Sequence, residues 1–287
     1  MHLHRTLLTT TCAAFLFTVA SAATPAALAK ETTSVAPNVP YSAVTELDFD
    51  APLKRLSYGP DALQFIDLWP RPDEASPLVI FIHGGCWLSA YDIKHSYPAT
   101  SALWHAGFTV ASIEYRRTGD TGGGWPGSWN DIQNAIDSLR QQAQFNDPQR
   151  KVILMGHSAG GHLALLAANQ FSGFVDHVVG LAAITDLASY IKMDGSCQRG
   201  GKQFMHNASA ADWQVADPAR QPPTSAVTLL QGEADSIVPV AQATRYDHST
   251  TTTVITLPKA GHFDWIHPQT DAWKHLLATM ETIHESY

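Results

Sequence analysis

The stretch GHSAGGH, residues 156–162, sets one serine between two histidines. Gly156-His157-Ser158-Ala159-Gly160 fits the pattern G-x-S-x-G, directly after the apolar run KVILMGH (151–157) and at the start of a helical segment. A strand-to-helix turn of this kind exposes the serine hydroxyl and brings the positive end of a helix beneath it. Ser158 is therefore the candidate nucleophile, and it needs a base. His157 points away at so sharp a turn, and His162 lies one turn down the helix flank. Both are read as packing or structural hydrogen-bonding groups, so the base is expected from another loop.

The late segment AGHFDWIHP supplies it: His262 follows the last apolar strand, with His267 as the competitor deeper in the loop. A base needs a carboxylate to fix its tautomer and stabilise the imidazolium. Asp235, in QGEADSIVP, ends the preceding strand and is the preferred partner; Asp186, ending AAITD, is the alternative. Asp264 lies too close to His262 in the same loop to orient it. The chain order Ser158, Asp235, His262 is that of one of the recurrent serine–histidine–acid arrangements. Donors for a developing oxyanion are found in HGGCW (83–87), where Gly84 and Gly85 let the backbone approach a substrate. The N–H of Ala159 is the third. His83 is expected to anchor that loop rather than do chemistry.

These residues must be carried to one place by a scaffold. Runs rich in β-branched residues recur at 77–83, 108–116, 151–157, 177–185, 226–234 and 252–260. Continuous apolar runs of this length mark strands buried on both faces. Helical segments lie between them at 95–106, 127–144, 159–171, 239–247 and 270–284; Ile132, Ala135, Ile136 and Leu139 form one helix face. The alternation predicts an α/β fold with a mainly parallel sheet covered on both sides. Ahead of it, Tyr58-Gly59-Pro60-Asp61 is turn chemistry between two alternating segments of 48–69, hence a hairpin. Residues 187–224 interrupt the alternation and read as a cap insertion or a surface excursion. Residues 30–45 read as an extended lead-in, and 46–287 as the catalytic domain.

The 287 residues carry a formal charge of -8, with no run of Lys or Arg to follow a phosphate backbone, which excludes nucleic acid as a partner. Residues 1–29 start with His2, His4 and Arg5, continue through an apolar stretch from Leu7 to Ala20, and end in small residues. That is the pattern of a secretory signal peptide, with cleavage near 22 or 29, and the stretch is too short and Thr-broken for a stable membrane anchor. Cleavage would remove Cys12 and leave Cys86 and Cys197 in a compartment that permits disulfides. No C-x-x-C or H-E-x-x-H spacing indicates a metal.

Taken in order, H-G-G-x-W, G-H-S-A-G-G-H, GEADSIVP and the late GHFD resemble the α/β-hydrolase superfamily. The resemblance covers the chain from about residue 50 onward. It is closest to the carboxylesterase branch related to hormone-sensitive lipase, with kynurenine formamidase-like and feruloyl esterase-like members. It implies a cofactor-free serine hydrolase with Ser158, Asp235 and His262 as triad and Gly84, Gly85 and Ala159 as oxyanion donors. Cys86 stands where formamidase-like members carry an aromatic residue, and the branch's third glycine is absent. A small-molecule ester is the expected substrate, an arylformamide the alternative. A serine peptidase is a weaker reading, and a binding protein that has kept the fold is disfavoured because all three triad positions are filled. Trp87, Trp125, Trp129 and Trp265 are candidate pocket walls, with core packing as the alternative for each, and Trp87 and Trp265 are the candidate substrate-binding pair.

Overall fold

The computed structural model describes residues 35–73, 75–246 and 251–285. The proposed signal peptide and the rejected membrane anchor lie outside them. Among the described residues no helix is long and apolar enough to cross a membrane.

Strands β1 (Lys54–Ser57), β2 (Phe65–Trp69), β3 (Leu78–Ile82), β4 (Thr109–Ile113), β5 (Val152–His157), β6 (His177–Leu181), β7 (Ala226–Gly232) and β8 (Thr252–Leu257) form one sheet in the order β1-β2-β4-β3-β5-β6-β7-β8. The first two make the expected antiparallel hairpin, and β2 pairs antiparallel with β4. Every pairing from β4 to β8 is parallel. The helices are α1 (Tyr41–Thr45), α2 (Tyr97–His105), α3 (Gly127–Arg140), α4 (Ala159–Gln170), α5 (Leu187–Tyr190), α6 (Ser196–Phe204), α7 (Ala210–Val215), α8 (Ala241–Thr244) and α9 (Asp271–Glu285).

Strand β3 and residues 152–155 of β5 are uniformly apolar because alternate residues enter two cores. Leu78, Ile80 and Ile82 of β3 and Val152 and Leu154 of β5 pack with Ile132 and Ile136 of α3 and Leu163 and Ala164 of α4. Val79, Phe81, Ile153 and Met155 point the other way, to Leu103 of α2 and Leu276 and Met280 of α9. A period of two with cover on both faces leaves little room for polar residues in the central strands. Each such side chain, fully removed from water, contributes about 1.5–3 kcal/mol.

Two sequence readings change. The lead-in is not extended throughout, because Tyr41–Thr45 forms a helical turn that buries Val44. The helix expected over 239–247 is only Ala241–Thr244. Residues 187–224, read as a cap insertion or a surface excursion, contain the short helices α5, α6 and α7.

Candidate active site

Parallel strands end together, so the loops after β3, β5, β7 and β8 converge at one edge of the sheet. Ser158 sits directly after β5 at φ 57° and ψ −119°, outside the ordinary regions for a side-chain-bearing residue. The turn is held by the Ser158 N–H donating to Leu181 O at 2.9 Å on β6 and by the His162 N–H donating to Ser158 O at 3.1 Å. The flanking glycines are demanded by contact. A Cβ on Gly156 would lie 2.2 Å from Gly160 O, and one on Gly160 would lie 2.1 Å from Ile82 O. Both obstacles are backbone, so no rotamer relieves them. Gly160→Ala is expected to destabilise the fold by about 3 kcal/mol or more, read from urea denaturation; a variant within about 1 kcal/mol of the parent, roughly the surface-substitution range, would contradict this.

After β7, the Asp235 carboxylate is fully satisfied. Oδ1 accepts from the Ile237 and Val238 N–H groups, each at 2.8 Å. Oδ2 accepts from Gln231 Nε2 at 3.1 Å and from His262 Nδ1 at 2.7 Å. With Nδ1–H committed to the carboxylate, His262 keeps Nε2 as the nitrogen that can take a proton. Gln231 was not singled out in the sequence. Its Nε2 is fixed by Gly232 O and Val238 O as well, so it positions the carboxylate from within β7. The one signal for it was a polar amide at the end of an otherwise apolar strand, directly before the GEADSIVP motif.

The competing acids and bases are engaged with other partners. Asp186 caps α5 by accepting from the Ser189 N–H. Asp264 accepts from the Asn38 and Val39 N–H groups at 2.8 and 3.0 Å, binding residues 38–39 to the His262 loop. His267 is buried and accepts from the Gln269 N–H. His157 donates from Nε2 to His262 O at 3.0 Å, and its ring lies 4.6 Å from that of His262. His162 donates from Nε2 to Ala216 O at 2.7 Å. Both flanking histidines are thus structural, as expected.

The loop after β3 passes close under the serine: a Cβ on Gly84 would lie 3.1 Å from Ser158 Cβ. His83 anchors it, with Nδ1 against Gly84 O at 2.8 Å and Nε2 against Glu114 Oε1 at 2.9 Å. Glu114 also accepts from the Tyr115 and Ile93 N–H groups. Burial would raise its pKa, but His83, Arg117 and the Ile93 N–H together hold it below the usual carboxylate range. Tyr58 of the hairpin donates to Glu114 O at 2.7 Å, so the YG turn braces the same loop. Among the described residues, the N–H groups of Gly84, Gly85 and Ala159 have no protein acceptor.

Gly85, Ser158 and His262 face a cavity of about 260 Å³. Its walls include Tyr41, Tyr91, His95, Ile237 and Phe263, with Gly85, Ser158 and His262 at the reactive end. The tryptophans are not there. Trp87 and Trp265 are fully buried, the first against His162 and Phe204 and the second in the core behind the sheet. Trp125 and Trp129 stack on each other. A large apolar side chain gains most from complete burial, and these four are spent on packing. The aromatic wall comes instead from Tyr41, Tyr91 and Phe263, whose positions carry no motif. Cys86 and Cys197 are joined by a disulfide, with Cα atoms 4.9 Å apart.

Several buried histidines are held neutral. Burial pushes His95 down to about 3 and His162 and His177 to about 4, lowers His267, and with the neighbouring His262 holds His157 well below the ordinary imidazole range. An unfolded chain takes up these protons near pH ~6.5, and the folded chain does not. Their contribution to stability is therefore complete above that pH and is lost as the pH falls toward 4. The expected slope near pH ~5 is at least about 4 kcal/mol per pH unit, since each such histidine adds about one proton. Denaturant unfolding between about pH 8 and pH 4.5 checks this; a flat profile would refute it.

A mainly parallel sheet of this order, flanked by helices and carrying a serine elbow after β5, is the α/β-hydrolase fold. The fold is shared with esterase B from Lactobacillus rhamnosis HN001, at a TM-score of 0.69 and 20% identity over 85% of this chain and 90% of that one. The chain belongs to the BD-FAE family, whose model matches residues 66–249. Among curated relatives, esterase LipC of Mycobacterium tuberculosis is 33% identical over 118 residues, 40% of this chain and 29% of that protein. Esterase LipQ of the same organism is 28% identical over 255 residues, 78% of this chain and 60% of that protein. The chain thus spans less than two thirds of either relative.

Proposed function

We propose that this protein is a serine hydrolase that cleaves small carboxylic esters through an acyl-enzyme. Ser158 attacks the ester carbonyl carbon while His262 Nε2 takes the hydroxyl proton. Asp235 holds the imidazole in the tautomer that leaves Nε2 unprotonated and stabilises the imidazolium once formed. Gly84, Gly85 and Ala159 donate N–H groups to the oxyanion of the tetrahedral intermediate. Collapse of that intermediate breaks the bond to the alcohol, which leaves with the proton from His262. Water then attacks the acyl-enzyme, with His262 again as base, and releases the acid and free Ser158.

The observation that carries this reading is the His262–Asp235 bond at 2.7 Å, with His262 sharing one cavity wall with a serine in a strained elbow. The esterase relatives support ester chemistry over amide chemistry. The Cys86–Cys197 disulfide supports export to an oxidising compartment, in keeping with the proposed signal peptide on residues 1–29. The proposed catalytic domain, from 46 to the end, draws one wall residue, Tyr41, from the lead-in.

Turnover of short- and long-chain p-nitrophenyl esters, a feruloyl ester and N-formylkynurenine tests the proposal. A cavity of about 260 Å³ predicts preference for short or planar acyl groups. Faster turnover of N-formylkynurenine than of every ester would assign the protein to formamide hydrolysis. No turnover, with no fluorophosphonate labelling of Ser158, would leave a binding role on a hydrolase fold.

A further inference from the structure

Helix α6 lies across the loop after β3 through a single face. Cys197, Gly200, Gly201 and Phe204 follow the i, i+3, i+4, i+7 spacing, and all four meet residues 86–88. Cys197 is bonded to Cys86. A Cβ on Gly200 would lie 2.7 Å from Cys86 O, and one on Gly201 would lie 3.2 Å from the Trp87 ring. Phe204 stacks on that ring with centroids 5.2 Å apart. The contact needs a helix face with no side chains at its centre, and the two glycines provide it.

The loop beneath is strained. Gly85, Cys86 and Trp87 have φ of 108°, 55° and 59° in succession. Two of the three bear side chains, and each left-handed residue of that kind costs roughly 1–2 kcal/mol. Such a run persists only where its surroundings over-determine it. Here the surroundings form a closed circuit. The Trp87 indole N–H donates to His162 Nδ1 at 3.3 Å, and His162 donates to Ala216 O, which belongs to the same insertion as α6. Gly85 and Cys86 at one end of the circuit, and Cys197 at the other, line the cavity with Ser158.

We infer that the insertion at 187–224 is a fixed positioning element for the oxyanion donors: the Cys86–Cys197 disulfide, seated on the Gly200–Gly201 shelf, holds the left-handed run and with it the Gly85 N–H. It is not a lid that swings clear, because it cannot leave the loop while the disulfide is intact. Cys86 and Cys197 are positioning residues that act through the backbone of Gly85. This inference rests on the ester-hydrolase reading and assigns a further role within that site.

The effect is on transition-state stabilisation, since oxyanion donors engage fully only when the carbonyl becomes tetrahedral. The double variant Cys86→Ala/Cys197→Ala, folded by circular dichroism, is expected to lose kcat by at least about tenfold with KM within about threefold. Binding of a trifluoromethyl ketone, which forms an oxyanion on Ser158, should weaken in proportion to kcat/KM. If the disulfide only stabilised the fold, its removal would lower the melting temperature and leave both readouts unchanged. A folded double variant with kcat within about twofold of wild type overturns the inference, as does a change confined to KM. Should the double variant fail to fold, Gly200→Ala decides. It keeps both cysteines and pushes a methyl against Cys86 O, so the same loss of kcat is expected, and wild-type kcat overturns the inference. Wild-type protein that turns over no ester and binds no ketone overturns the parent reading and this one with it. Wild-type turnover with unchanged variants overturns this one alone.

Discussion

Ser158→Ala is expected to lower kcat on any ester substrate by about 10⁵–10⁶ while leaving KM nearly unchanged. The hydroxyl is the only atom lost, and the alanine methyl fits the space its Cβ already occupies. Residual turnover over the uncatalysed rate, about 10³-fold, would come from the oxyanion donors and substrate binding alone. The substitution also relieves nothing in the backbone: the turn is set by the Leu181 and His162 hydrogen bonds and by contact at Gly156 and Gly160, all of which remain. The variant should therefore melt within a few degrees of the parent. Steady-state kinetics with a p-nitrophenyl ester, alongside fluorophosphonate labelling, measure the effect. Activity above about a tenth of wild type in the folded variant would rule out the acyl-enzyme mechanism.

The second large effect is on Asp235→Asn, for which a fall in kcat of about 10⁴ is expected. The cause is the tautomer. Oδ1 of Asp235 accepts from two backbone N–H groups, so an asparagine must place its carbonyl oxygen there. Its NH₂ then faces His262 Nδ1, which must become the acceptor. The imidazole proton moves to Nε2, and the nitrogen proposed to serve Ser158 can no longer take a proton. The same NH₂ meets Gln231 Nε2, itself held as a donor by Gly232 O and Val238 O. A donor facing a donor is unsatisfied, so a stability loss of about 1–3 kcal/mol should accompany the loss of rate. Kinetics and urea denaturation on one preparation separate the two. A variant with kcat within about tenfold of wild type would show that Asp235 does not set the tautomer.

Much of this site was legible because its chemistry is bound to local backbone form. A nucleophile elbow needs glycines two residues to either side of the serine, and contact with Gly160 O and Ile82 O shows why no other residue fits. Parallel strands covered on both faces need unbroken apolar runs, and those runs fix where the loops begin. Ser158, Asp235 and His262 could be ordered on the sheet for that reason, and His83 could be read as an anchor because it ends a strand beside two glycines.

What misled was residue type without context. Tryptophan suits both a pocket wall and a core, and nothing in sequence spacing separates them; burial of Trp87 against His162 and Phe204 depends on a helix more than a hundred residues later. Tyr41 was passed over because the turn at 41–45 has too few residues to show a period. Gln231 was hidden inside a strand.

The sequence by itself indicated the class of fold, the order of the loops and the three residues proposed for the chemistry, because each leaves a local pattern: an unbroken apolar run, a serine between glycines, a polar turn after a strand. Only the tertiary structure decided that Cys86 and Cys197 pair across 111 residues, that α6 lies on the loop after β3, and which aromatic rings wall the cavity. Those outcomes depend on which surfaces meet once the chain is compact, and separation along the sequence carries no trace of it.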